Sequence, residues 1–231
     1  TASNGWNDSI VAFYAPDLKN KTYPSALQVY RQVLAAQPDS SVTLITVGFM
    51  SNIRDMLNSP ADAYSPLSGL ELLRRKVINW VAMAGVFPSG IEFNVKEDAA
   101  AAQQAFADFP RPILYSGFAI GEHVQTGHPV AMRNSDDPVS YGYRMNFRTY
   151  AAQPTQTRAS WDQTAVLAAI RNPLTYFYVN GPGKLKINDD GSNSWMPHDK
   201  ELQQFLTSKM SHSELAAIID ELMLYQPKAK D

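Results

Sequence analysis

Glu92 and Asn94 stand two apart in "SGIEFNVKEDAAAA" (Ser89 to Ala102), after a small-residue turn and before an alanine-rich helical run. In an extended segment such a pair shares one face while Phe93 packs on the other, which would aim a carboxylate and an amide together into a pocket. The same residues also suit the solvated start of a helix. Other polar groups carry a similar double reading. Asn52 and Asp162 sit where helix caps belong, and Gly48, Gly85 and Gly117 suit tight turns. The four histidines (His123, His128, His198, His212) share no metal-ligand spacing. Ser116 in "YSGF" lacks the flanks of a nucleophile elbow, and there is no P-loop or dinucleotide fingerprint.

The elements that must position these residues read as α/β. "PSALQVYRQVLAA" (Pro24 to Ala36) has helical spacing, with Pro24 suited to a first turn. "SVTLITVGF" (Ser41 to Phe49) reads as a strand buried on both faces, and "KVINWVAMAG" (Lys76 to Gly85) and "RPILYSG" (Arg111 to Gly117) as further strands. Helices near Asn52 to Leu57, from Leu70, and over "EDAAAAQQAFADF" separate them. That order implies an open, mainly parallel sheet with helices on both faces. Ligands of such sheets bind beyond the carboxyl ends of the strands. There "VGFMSN", "MAGVFPSGIEFN", "SGFAIGEH" and the helix-opening "SWDQT" should converge.

The remaining segments frame that core. Residues 1–17 read as polar and turn-rich, and Gly127 to Arg158 as an irregular, lid-like loop. "SWDQTAVLAAIRN" reads as a helix that Ser160 or Asp162 could cap. "LTYFYV" and "KLKINDDGSNSW" read as short strands around an Asp-Gly turn. His198 to Leu224 reads as two helices, the second opened by a Ser211/Glu214 capping box. The 231 residues suffice for a single α/β domain spanning 1–231. A composition of 45% hydrophobic and 18% charged residues is globular, and a net charge of −2 offers no footprint for nucleic acid. With no cysteine, thiol nucleophiles and Cys-ligated metals are excluded. No apolar run reaches the roughly 18 residues of a membrane span. Nothing in these features assigns a compartment.

Read together, "VTLITVGFMSNIRDML", "VAMAGVFPSGIEFNVKEDAAAA", "RPILYSGFAIGEHVQTG" and "RASWDQTAVLAAIRN" resemble the inosine–uridine-preferring nucleoside hydrolase family. The last two look like the corresponding pieces of a bacterial-type branch carrying Ser-Trp-Asp. The resemblance runs from about Tyr23 to Leu224 and implies a Rossmann-like fold and an N-ribohydrolase. In that family a calcium ion holds an activated water and the hydroxyls of a ribonucleoside. It implies metal ligation by Asp162 and by the carbonyl of Val47. It also implies ribose binding by Glu92 and Asn94, with Met83 packed near the sugar. Trp161 stands where many members have a histidine. An indole has no labile proton to give, so stacking on the nucleobase is the role expected of it.

Departures from the family pattern set a second expectation. The family's N-terminal aspartate cluster has no counterpart, since Asp8 and Asp17 form no such motif, and Ala84 and Ala119 replace a glycine and a glutamate. The chain reads as the C-terminal two-thirds of the fold, with its N-terminal part absent and too few oxygen ligands for calcium. The expectation is a protein inactive alone. Either a second chain or segment supplies the missing ligands, or the chain is a catalytically inactive relative serving in binding or assembly. A fold missing a strand exposes backbone and apolar surface, so a covering partner or homo-oligomer is expected.

Overall fold

The computed structural model describes residues 6–133, 136–149 and 156–225. Nine strands run through them: β1 (Val42–Thr46), β2 (Val77–Met83), β3 (Ser89–Ile91), β4 (Ile113–Ser116), β5 (Gln125–Thr126), β6 (Arg158–Ala159), β7 (Phe177–Ile187), β8 (Ser192–Pro197) and β9 (Gln203–Ser208). The α-helices among the described residues are α1 (Trp6–Tyr14), α2 (Ala26–Ala36), α3 (Ser51–Asn58), α4 (Gly69–Lys76), α5 (Phe93–Glu97), α6 (Ala99–Asp108), α7 (Phe118–Glu122), α8 (His128–Met132), α9 (Pro138–Thr149), α10 (Trp161–Ile170) and α11 (His212–Leu224). They cluster into two compact units, one of 24–123 and 161–210, the other of 1–23, 124–160 and 211–231.

The larger unit is the α/β body. Its sheet runs in the order β1-β2-β4-β9-β7-β8-β3. β1, β2, β4 and β9 are parallel, and β7, β8 and β3 extend the sheet antiparallel. The parallel run follows from β-branched strands separated by helices long enough to return the chain. Pairing fixes the two faces. Trp80 faces Ile113 and Ala82 faces Tyr115 on a core shared with α3, α4 and α6. Trp80 is fully buried, rings of Phe106 and Phe109 lie 5.1 and 4.7 Å away, and its indole N–H donates to Thr46 Oγ1. Met83 pairs with Ser116 on the opposite face, where Ser116 Oγ meets Thr164 Oγ1 of α10 at 3.3 Å. Helices therefore cover both faces.

The helices begin where side chains replace missing backbone partners. Ser25 with Gln28 and Ser68 with Glu71 form reciprocal capping boxes at α2 and α4. Pro24 lies just before that cap rather than in the first turn. α3 starts after Met50, so Asn52 lies inside it and is not the cap. Buried Arg31 of α2 donates to Asp62, Ser59 Oγ and the Leu67 carbonyl, tying the 59–67 loop to the body.

Three strand readings change. β1 is an edge strand, half-buried except at Thr46, not buried on both faces. β7 is one continuous strand, and β9 replaces the helix expected after His198. "ELQQFLTS" looks helical because glutamine is rarely buried. Here buried Gln203 accepts from the Tyr115 hydroxyl and the Leu185 N–H and donates to the Phe106 carbonyl, so a central strand carries it without an unmet group.

The smaller unit is mainly helical. Residues 6–14 form α1 rather than turns, and 127–158 holds α8 and α9 rather than an irregular loop; residues 1–5, 134–135 and 150–155 of those readings lie outside the described residues. Arg133 grips Asp137 at 2.7 Å and Ser140 at 2.6 Å at the start of α9. Asp220 of α11 accepts the Gly127 N–H at 2.8 Å. Ser211 and Glu214 cap α11 as their spacing predicts. No helix among the described residues is long and apolar enough to cross a membrane.

Candidate functional site

The carboxyl ends of β1, β2 and β4 bring three of the four expected segments together, and the start of α10 supplies the fourth through its packing on β1, β2 and β4. Val47 follows β1 and Met83 ends β2. Gly85 turns the chain at φ +79°, where an added Cβ would meet Leu185 and Asn193. Its carbonyl accepts the Phe118 N–H at 2.8 Å, joining the β2 and β4 ends.

Glu92 and Asn94 lie at this rim, but not in an extended segment. Glu92 is the N-cap of α5, and Asn94 lies in the helix's first turn. The Glu92 carboxylate accepts from the N–H groups of Asn94 (2.9 Å), Val95 (3.2 Å) and Gly85 (3.4 Å). Phe93 does not pack inward: it is 63% exposed, its ring 5.8 Å from that of Phe49. A strand end and an N-cap place residues i and i+2 alike in sequence, so spacing alone could not separate them.

Glu92 is only 3% exposed. Burial pushes its pKa up, against the three N–H groups that favour the carboxylate, and the negative charge of Asp162 adds to the rise. Asp162 lies in the first turn of α10, exposed. Asn94 Nδ2 donates to the Met83 carbonyl (3.3 Å) and sulfur (3.2 Å), holding the Met83 side chain against the polar pair.

Trp161 is fixed to α7. Its indole N–H donates to the Phe118 carbonyl at 3.1 Å, and the rings stack at 5.4 Å and 29°. A Cβ on Gly121 would stand 2.3 Å from Trp161 Cα, so α7 and α10 meet there through backbone. Sequence reading missed the residue that shapes the loop before Glu92. Asn193 of β8, 2% exposed, accepts the Val86 N–H and donates to the Val86 carbonyl. Its only sequence signal was an amide beside the Asp-Gly turn. Ser116, buried against Thr164, is not poised as a nucleophile.

Among the described residues, the donors expected from the resemblance are too few for a calcium site. Such an ion takes six to eight oxygens. The oxygens expected here are the Asp162 carboxylate and the Val47 carbonyl, while Glu92 is largely engaged by backbone N–H groups. Among the described residues, no three of His, Cys, Asp and Glu gather as ligands.

No protein-family model matches the chain, and no curated protein does. Among solved structures, an inosine-guanosine nucleoside hydrolase superposes with a TM-score of 0.65 at 16% identity, over 90% of this chain and 69% of that one. At that identity the likeness establishes the fold: an α/β body of nucleoside hydrolase type around a mainly parallel central sheet.

Proposed function

We propose that this chain binds ribonucleosides at the β1–β2–β4 rim, as a member of the inosine–uridine branch marked by Ser160-Trp161-Asp162. The observation that carries this reading is the acceptor pattern of Glu92 and Asn94. A carboxylate offers about four lone-pair sites, and three N–H groups occupy Glu92. One acceptor site remains. Asn94 spends its Nδ2 on Met83, and among the described residues no hydrogen bond engages its Oδ1. Two neighbouring acceptors suit the two O–H donors of a ribose diol. Met83 would pack against the sugar, and the indole face of Trp161 not taken by Phe118 would meet the base.

Cleavage of the N-glycosidic bond is reserved for a completed protein. Asp162 and the Val47 carbonyl would contribute to a calcium site there, with the other ligands supplied from outside these residues. The shortage of oxygen donors equally favours a second reading, a catalytically inactive relative that binds or assembles.

Calorimetric titration tests the binding step. Inosine or uridine should bind, 2′,3′-dideoxyinosine should bind roughly tenfold or more weakly, and Asn94→Ala, which removes one of the two acceptors, should narrow the difference. Equal affinity for the dideoxy compound would sink the diol assignment. Base release separates the readings. This chain alone should liberate none with calcium, and the completed protein should do so only if the first reading holds.

A further inference from the structure

The smaller unit carries a cleft that the nucleoside reading does not use. Its volume is about 320 Å³, and Met132, Arg144, Phe147, Arg148 and Gln156 line it. Arg144, Phe147 and Arg148 are three and four residues apart on α9, so they share one face, with Cβ atoms about 5–6 Å apart for the arginine pair. Phe147 is buried and Met132 exposed, giving an apolar floor beside two guanidinium groups.

Among the described residues neither arginine forms an ion pair. Arg144 gives one N–H to the Ala131 carbonyl at 3.3 Å, and its other donors make no further hydrogen bond among the described residues. Arg148 is exposed and makes neither an ion pair nor a hydrogen bond among them. Of the acids before α9, Asp137 takes Arg133 at 2.7 Å, while Asp136 accepts the Tyr14 hydroxyl at 2.7 Å, a neutral donor that leaves its charge in place. Two planar five-donor groups over one cleft fit the oxygens of a dianion better than a single charge would. The volume lies at the small end of ligand sites, room for a compact body beside the anion.

From this geometry we infer that the α8–α9 cleft binds a small phosphate ester, its phosphate held by Arg144 and Arg148 and its apolar or planar body lying on Phe147 and Met132. None of the residues that line it is among those assigned to the rim of Glu92, and the proposal does not rest on ribose recognition.

Phenyl phosphate is a suitable probe, because it has a planar body and a phosphate but no sugar. Titrated into the whole chain at near-physiological salt, it should bind saturably and more tightly than inorganic phosphate, and phenol should not compete. Arg148→Gln should weaken it roughly tenfold or more, and the Arg144→Gln/Arg148→Gln pair should abolish binding. Inosine affinity should be unchanged in both variants, which also certifies that they are folded; unchanged circular dichroism serves if inosine does not bind. The inference is overturned if phenyl phosphate gives no saturable binding, if both variants bind it as the parent does, or if inorganic phosphate binds equally well.

Discussion

At Glu92, two effects oppose each other within one carboxylate. Its three backbone N–H partners favour the anion, while a 3% exposed position and the charge of Asp162 disfavour it, and burial wins. The sign of the stability effect follows. With the folded pKa above the unfolded one, the native state holds its proton longer, so stability is full below the ordinary glutamate range. It is lost as pH climbs from there through the raised value. Asp220 is also raised, by burial first, and gives the same sign, so the parent's curve alone would not isolate Glu92. The comparison with Glu92→Gln does. In urea unfolding from about pH 4.5 upward, the parent should lose stability relative to the variant and then level off. Parallel curves across that window would remove the buried-carboxylate assignment. Replacing the cap with Glu92→Ala should cost about 1–2 kcal/mol by freeing the α5 N–H groups.

Among the elements at the rim, the sharpest constraint is the backbone contact of α7 with α10. Gly121 leaves no room for a methyl group against Trp161. Gly121→Ala should therefore overpack the contact, cost about 1–3 kcal/mol in chemical denaturation, and weaken inosine binding by shifting Trp161 and Asp162. A variant as stable as the parent would show that α10 yields freely there. This element was legible as "SWDQT" opening a helix, as were β2, β4 and the capping box of α11, because local propensity and tertiary demand agree in them. The rest was hidden where they disagree. β9 carries glutamines that become admissible only once Tyr115, Leu185 and Phe106 meet Gln203. α8 and α9 are written in prolines, glycine, aromatics and arginine without clean periodicity, and their order comes from contacts such as Arg133 with Asp137 and Ser140. At the site, Glu92 and Asn94 were legible by type and neighbourhood. Their helical geometry and the role of Asn193 depend on partners far along the chain.

For the whole molecule the open question is the edge of the sheet at β1. Among the described residues this strand pairs only with β2, and "VTLIT" carries no charge and no proline. Natural edge strands are usually protected by such residues, because unpaired N–H and C=O groups recruit other strands. Just past the carboxyl end of β1, Val47 and Phe49 are 42% and 45% exposed, and Phe49 lies against exposed Phe93. Unprotected backbone beside exposed apolar surface favours a covered edge in the working protein, by a second copy or by another segment. The isolated chain should then associate with itself, since with a net charge of only −2 little repulsion keeps copies apart. Sedimentation velocity should show a weight-average mass rising with concentration. The Phe49→Asp/Phe93→Asp pair, altering exposed rings rather than core, should lower it without changing the unfolding free energy by more than a few tenths of a kcal/mol. A chain that stays monomeric at every concentration and binds no hydrophobic dye would show that the β1 edge is stable uncovered. The shortage of calcium ligands would then have no structural counterpart at the edge, and the inactive-relative reading would gain.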